Sequence, residues 1–211
     1  MHRQNAIAGG LLLTAAIVLV TVGYAKGLGP LGVLQVGIQR VVGGGRQIVS
    51  ADRLAAPDTS PGAPELAGGA WINSDALTLK GLRGRVVLID FWTFGCYNCR
   101  NTLPSVKNWD ERYREKGLTI IGVHTPELDA ERKIENVRRE VLDLGIRYPV
   151  LTDNDYATWS AYKVEGWPTM FLVDKKGQVR WMHVGEGAYD EAEQTIQKLL
   201  AEEYIEPEKQ R

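Results

Sequence analysis

Val86-Val87-Leu88-Ile89-Asp90-Phe91-Trp92-Thr93-Phe94-Gly95-Cys96-Tyr97-Asn98-Cys99 is the stretch from which the rest of the chain can be read. Four consecutive apolar, mostly β-branched residues open it, which predicts a strand buried on both faces of a sheet covered by helices. Asp90 closes that run, Thr93-Phe94-Gly95 makes a turn, and a Cys-x-x-Cys follows at the start of a helix. A thiol at a helix N-terminus is poised to become a thiolate, because unpaired N–H groups and the helix dipole favour negative charge there. A second thiol three positions on can close a disulfide with it. The pattern points to two-electron redox chemistry.

Three other roles are open to the two cysteines. A purely structural bridge around so short a loop stabilises by about 2 kcal/mol, against roughly 3 for a 15-residue loop, and 211 residues can bury a core without a staple. A structural zinc site needs about four ligands, and the chain holds two cysteines and three histidines in all. A peroxidatic cysteine in the pattern Pro-x-x-x-Thr-x-x-Cys finds Thr93 in place but Ile89 where the proline belongs.

The length suits one medium domain with appendages, and a net charge of −1 offers no basic field for nucleic acid. Ala6 to Tyr24 carries no charged residue. As a helix it would span about 28 Å, near the hydrocarbon core of roughly 30 Å. That run exceeds the apolar stretch of a typical cleaved signal, although Gly23-Tyr24-Ala25 offers small residues for cleavage. The expected organisation is a cytoplasmic tail over residues 1–5, a transmembrane signal anchor over 6–24, a juxtamembrane segment and linker over 25–63, a folded domain over 64–205 and a tail over 206–211. Arg3 precedes the anchor while Lys26, Arg40 and Arg46 follow it, so charge counting does not choose this orientation; the shortness of the tail does. Ala55-Ala56-Pro57-Asp58-Thr59-Ser60-Pro61-Gly62-Ala63-Pro64 has linker composition.

Within the folded domain, Trp71–Leu82 reads as a hairpin-like lead-in and Val86–Phe91 as the central strand. Leu103, Val106, Trp109 and Tyr113 repeat every three or four residues, the face of a helix that Pro104 should kink. Leu118–Val123 is a strand, and Ile134, Val137, Val141 and Leu144 mark an amphipathic helix with charges between them. Tyr148–Leu151 reads as a short strand, with Asp153 or Asn154 capping a helix that reaches Tyr162. Met170–Val173 and Val179–Val184 flank the turn Asp174-Lys175-Lys176-Gly177, and Ala192, Ile196, Leu199 and Leu200 define a final helix.

That order of elements resembles the thioredoxin fold, an α/β architecture with a mixed central sheet flanked by helices. The chain is similar to thioredoxin-like disulfide oxidoreductases of the membrane-tethered TlpA/DipZ branch. The likeness rests on Trp71-Ile72-Asn73-Ser74, the stretch Asp90–Cys99, Gly122-Val123-His124-Thr125-Pro126-Glu127, Asp153-Asn154-Asp155-Tyr156 and Gly166-Trp167-Pro168-Thr169. It covers about Pro64 to Glu203, and the extra helix near residues 129–144 resembles an insertion of this branch.

The resemblance implies roles. Cys96 is expected to attack, Cys99 to resolve the mixed disulfide, and the two to form the redox-active disulfide. Asp90, buried beneath them, would carry a proton to or from Cys99, a task suited to a carboxyl raised by desolvation; a strand-end aspartate that simply accepts a backbone N–H is the alternative. Pro168 matches the family's cis-proline loop, and Trp92, Trp167, Pro168 and Thr169 would contact substrate. His124 is expected either as a structural or as a catalytic histidine. Tyr97-Asn98 brings no charge between the cysteines, which suits a moderately reducing couple.

The expected function is a membrane-tethered, extracytoplasmic thiol–disulfide oxidoreductase acting mainly as a reductase. Protein disulfides or dithiols, apocytochrome c among them, would be its clients, and a CcdA/DsbD-like membrane protein its electron donor. No cofactor, resident metal or nucleic acid is implied. The alternatives are a Cu(I) metallochaperone using the same two thiolates, for which neither His124 nor His183 is placed by sequence as a third ligand, and a thiol peroxidase.

Overall fold

The computed structural model describes residues 60–205. The expected tail, anchor and most of the linker, and the C-terminal tail, lie outside the described residues. Among the described residues no helix is long and apolar enough to cross a membrane.

Six strands form one mixed sheet in the order β1-β4-β3-β2-β5-β6. They are β1 (Trp71–Ile72), β2 (Val86–Trp92), β3 (Leu118–His124), β4 (Val150–Thr152), β5 (Thr169–Val173) and β6 (Val179–Val184). β2, β3 and β4 run parallel, while β1, β5 and β6 pair antiparallel at the two sides. The helices are α1 (Tyr97–Tyr113), α2 (Ile134–Asp143), α3 (Ala157–Ala161) and α4 (Tyr189–Ala201). This is the thioredoxin arrangement of a sheet between helices.

All seven residues of β2 are buried, because successive side chains enter opposite layers of core. Val86, Leu88 and Trp92 join α1, α2 and α4 through Leu103, Val106, Val137, Val141, Ile196 and Leu199. Val87, Ile89 and Phe91 join Leu79, Tyr162, Val164, Phe171 and Val173 on the other side. At roughly 1.5–3 kcal/mol for each large apolar side chain removed from water, these two layers are what hold the strand in the middle. Asp90 occupies the same row as Leu88 and Trp92, so a carboxyl is carried into the apolar layer beneath α1.

Four local expectations shift. The lead-in Trp71–Leu82 is no hairpin: only Trp71 and Ile72 are strand, and they pair with Leu151 and Val150 far along the chain. β4 starts at Val150, because Pro149 has no N–H for the ladder and contributes only its carbonyl, which accepts Gly122 N–H at 2.9 Å. α3 begins at Ala157, with Tyr156 at its N-cap position in a left-handed conformation. Asp153 still caps it, from further upstream: its carboxylate accepts Thr158 N–H at 3.2 Å and Trp159 N–H at 2.8 Å. The extra segment splits into a 3-10 turn over Asp129–Arg132 and then α2. α1 runs through Pro104 as one element to Tyr113.

The hairpin β5–β6 turns at Gly177, whose φ of 77° suits a residue without a Cβ. Asp174 stiffens that turn by accepting N–H bonds from Lys176 and Gln178, each at 2.9 Å. The incoming chain docks here: Pro61 carbonyl accepts Val179 N–H at 3.0 Å, Gly62 bridges Gln178, and Ala63 donates to Gly177 carbonyl at 2.9 Å.

Candidate active site

The site forms where β2 ends and α1 begins. Cys96 is the N-cap of α1 in extended conformation, and Cys99 N–H points to its Sγ at 3.1 Å. The first turn of α1 contains no acidic side chain, so the positive end of the helix faces this sulfur. Cys96 is half-buried and Cys99 is buried at 2% exposure. The two form a disulfide with their Cα atoms 5.3 Å apart. Tyr97 stands 75% exposed between them.

Asp90 is buried and its Oδ1 has no hydrogen-bond partner. It is therefore not a strand-end carboxylate tied up by a backbone N–H. Burial pushes it up to about 7, as expected of a carboxyl moved from water into an apolar layer. Two further polar atoms in this layer lack partners, Trp92 Nε1 and Tyr148 Oη. Tyr148 is held well above its ordinary range, first by burial and then by the charges of Asp90 and Asp110.

His124 ends β3 with no exposed surface. Its ring stacks on Phe94 at 5.5 Å between centroids, meets Trp92 edge-on at 5.2 Å, and brings Nε2 to 3.3 Å from Thr93 Oγ1. Burial pushes it down to about 4, against the opposing pull of Glu131. It is a neutral imidazole at neutral pH.

Of the four residues expected to touch substrate, Trp92, Pro168 and Thr169 are buried. Trp92 has no exposed surface for a substrate and meets His124 edge-on instead, since the end of β2 is covered on both sides. Thr169 turns its hydroxyl inward to Gly166 carbonyl at 2.6 Å. The Trp167–Pro168 bond is cis. Thr169 pairs with Phe91, which sets this turn at the Trp92 end of the sheet, where α1 departs. Pro168 carbonyl already accepts Gly185 N–H at 2.7 Å. Trp167 is half-buried against Trp159, with ring centroids 4.4 Å apart, and offers the surface of this group.

One site residue escapes a reading by periodicity. Glu131 is 1% exposed. Its Oε1 accepts Gly95 N–H at 2.8 Å, and its Oε2 accepts Glu127 and Leu128 N–H at 2.7 and 2.8 Å. Burial alone would raise this carboxyl, but hydrogen bonds from Leu128, Thr93, Glu127 and Gly95 together hold it below its usual range. The available signal was its place at the third position of a turn, from which a glutamate reaches back to the N-cap N–H. Among the described residues no group of three or more His, Cys, Asp or Glu side chains is placed to hold a metal ion.

A protein-family model for the AhpC/TSA family matches residues 63–182. The chain belongs to the AhpC/TSA family. The chain is 42% identical over 154 residues to protein DipZ of Mycobacterium tuberculosis, covering 71% of this chain and 22% of that one. It thus spans about a fifth of the DipZ it matches. The thiol–disulfide oxidoreductase ResA of Bacillus thuringiensis is 32% identical over 123 residues, with 58% of this chain and 68% of that one covered. Among solved structures, a thiol-disulfide isomerase from Corynebacterium glutamicum superposes with a TM-score of 0.63 at 26% identity, over 69% of this chain and 99% of that one. The thioredoxin-like domain described here is therefore of the thiol–disulfide oxidoreductase type, with Cys96 and Cys99 as its Cys-x-x-Cys pair.

Proposed function

We propose that the chain is a membrane-tethered, extracytoplasmic thiol–disulfide oxidoreductase that reduces disulfides of client proteins. The observation that carries this reading is the combination of three groups: a half-buried sulfur on a helix N-terminus, a buried second sulfur three residues on, and a buried carboxyl on the strand that leads into that helix. The tether is the uncharged run Ala6–Tyr24, which supports residues 1–5 as a tail, 25–63 as juxtamembrane segment and linker, 64–205 as the redox domain outside and 206–211 as a tail.

In the dithiol state the Cys96 thiolate attacks one sulfur of a client disulfide. A bond forms between Cys96 and that sulfur while the client S–S bond breaks, and the other client sulfur leaves as a thiolate. Asp90 takes the proton of Cys99, and the resulting thiolate attacks Cys96 Sγ. The mixed disulfide breaks, the second client sulfur leaves, and two electrons have passed to the client. A carboxyl near 7 is half protonated at neutral pH, so it can take up this proton and return it. Recharging needs a second dithiol, supplied by a membrane electron conduit of the CcdA/DsbD type. Trp167, beside the Pro168 turn, is the surface against which the client chain lies, with Trp92, Pro168 and Thr169 supporting it from beneath.

The test is trapping. Cys99→Ser in the native membrane, quenched with acid, should carry disulfide-linked proteins that a reductant releases, whereas Cys96→Ser should carry few, because its remaining sulfur is buried. The reverse pattern, or no trapping by either variant, defeats the assignment. A reporter active only outside the cytoplasm, fused after Arg211, should be active and should fractionate with membranes; an inactive reporter on an abundant fusion removes the extracytoplasmic placement.

A further inference from the structure

We propose that Glu131 is a positioning residue that sets the acidity of Cys96, holding the couple on the reducing side by placing an anion against the peptide that precedes the attacking sulfur. The proposal deepens the function above and rests on its reading of Cys96 as the attacking thiol. The geometry is direct. Gly95 is the residue before Cys96, and its N–H ends on Glu131 Oε1 at 2.8 Å. With no acidic side chain in the first turn of α1, this carboxylate, delivered from the turn before α2, is an anion brought to the loop at the helix start. A helix N-terminus stabilises nearby negative charge, and a Cys96 thiolate and the Glu131 carboxylate draw on that same positive end. Each therefore makes the other less favourable.

The position admits little slack. A Cβ at Gly95 would lie 2.5 Å from Glu131 Oε1. The second carboxylate oxygen is held by Glu127 and Leu128 N–H groups, so the anion leaves the loop only by straining or giving up these part-buried hydrogen bonds. The other charged and titratable groups around the loop do not substitute for it. Arg100 of α1 donates from Nε to Phe94 carbonyl at 2.7 Å and pairs with Glu140 of α2 at 3.1 Å. His124 of β3 is neutral, and Asp90 of β2 lies in the buried row beneath α1. Glu131 is thus the charge that touches the backbone of the Cys-x-x-Cys loop from its N–H side.

The measurement is the rate of alkylation of Cys96 across pH in the reduced full chain, located by mass spectrometry, together with the equilibrium of the pair against glutathione. Glu131→Gln keeps an acceptor for the Gly95 N–H but loses the charge. Cys96 should then become more acidic, and the equilibrium should move toward the dithiol by about 3- to 10-fold, the range for a unit charge removed at a partly screened site. Glu131→Asp, which keeps the charge, should lie closer to wild type than Gln does. Gly95→Ala, which leaves Glu131 in the sequence but drives its carboxylate off the loop, should shift Cys96 in the same direction as Gln and carries the test if Glu131→Gln does not fold. An unchanged or less acidic Cys96 in the charge-removed variant overturns the proposal, even where Cys99→Ser still traps clients. Loss of trapping with a more acidic Cys96 in Glu131→Gln defeats the functional reading while leaving the role of Glu131 standing.

Discussion

Asp90 and Gly122 stand opposite each other in the parallel β2–β3 ladder, and the side-chain space that Gly122 leaves open is taken by its neighbours. A Cβ at Gly122 would lie 2.8 Å from Trp92 Nε1 and 3.2 Å from Tyr148 Cε2. The glycine is what lets a tryptophan N–H and a tyrosine ring reach the layer that holds a buried carboxyl. Conformation is not the reason, since Gly122 is an ordinary strand residue; the requirement is volume.

Gly122→Ala should therefore cost about 1–3 kcal/mol, the usual range for overfilling a close-packed interior. Urea unfolding of the oxidised protein reads this directly. Stability equal to wild type would mean that the Trp92 ring can retreat without loss.

The two buried titratable groups near the sulfurs should leave opposite marks on stability. Asp90 sits near 7 in the fold against an ordinary value of 3.8. As pH rises through that window the unfolded chain releases a proton that the folded chain keeps, so stability falls, by on the order of 4 kcal/mol in total. His124 sits near 4 against 6.5. As pH falls through its window the unfolded chain gains a proton that the fold excludes, so stability is lost on acidification, by about 3 kcal/mol. The slopes oppose each other between about pH 4 and 6.5. Asp90→Asn removes the first and leaves the second, so its urea midpoint should climb with pH across that range and exceed wild type at about pH 8. A variant curve parallel to that of wild type would rule out the raised carboxyl.

At the other end of the sheet, Arg180 is 3% exposed in its side chain, pairing with Asp174 at 2.9 Å and with Glu202 at 3.0 Å. Arg180→Met should cost about 3–5 kcal/mol, because the Asp174 charge would stay buried without its cation. Adding Asp174→Asn to it should recover part of the loss in a thermal or urea melt. Additive losses would show that the two residues act independently.

How much of this was legible before the structure depends on how far the determining contacts reach. β2, β3, β6 and the apolar faces of α1 and α4 follow from short-range periodicity, and the structure keeps them within a residue or two, as with β3 running on to His124. The Trp71–Leu82 lead-in misled because its strand is defined by Val150 and Leu151, not by a neighbouring partner. The site divides in the same way. The places of Cys96 and Cys99 at a helix start and of Asp90 on the strand before it follow from spacing, while their roles are what the resemblance implies. Glu131 is not, since charged residues between the apolar positions of an amphipathic segment read as solvent-facing. Its burial depends on the N–H of Gly95, 36 residues earlier in the chain, together with the local Glu127 and Leu128 N–H groups. The resemblance implies substrate contact for Trp92, whereas its place on a strand buried on both faces leaves it with no exposed surface.

The docking of Pro61, Gly62 and Ala63 beside Gln178 and Gly177 fixes where the polypeptide joins the domain. β2 carries the chain from that end toward Trp92, and β5 starts beside Phe91 and ends at Val173, just short of the turn where Ala63 is bound. The attachment point and the sulfurs thus sit at opposite poles of the sheet. The docked segment Pro61–Ala63 therefore lies the length of the central strand away from Cys96, and a bulky protein can come to that sulfur without meeting it.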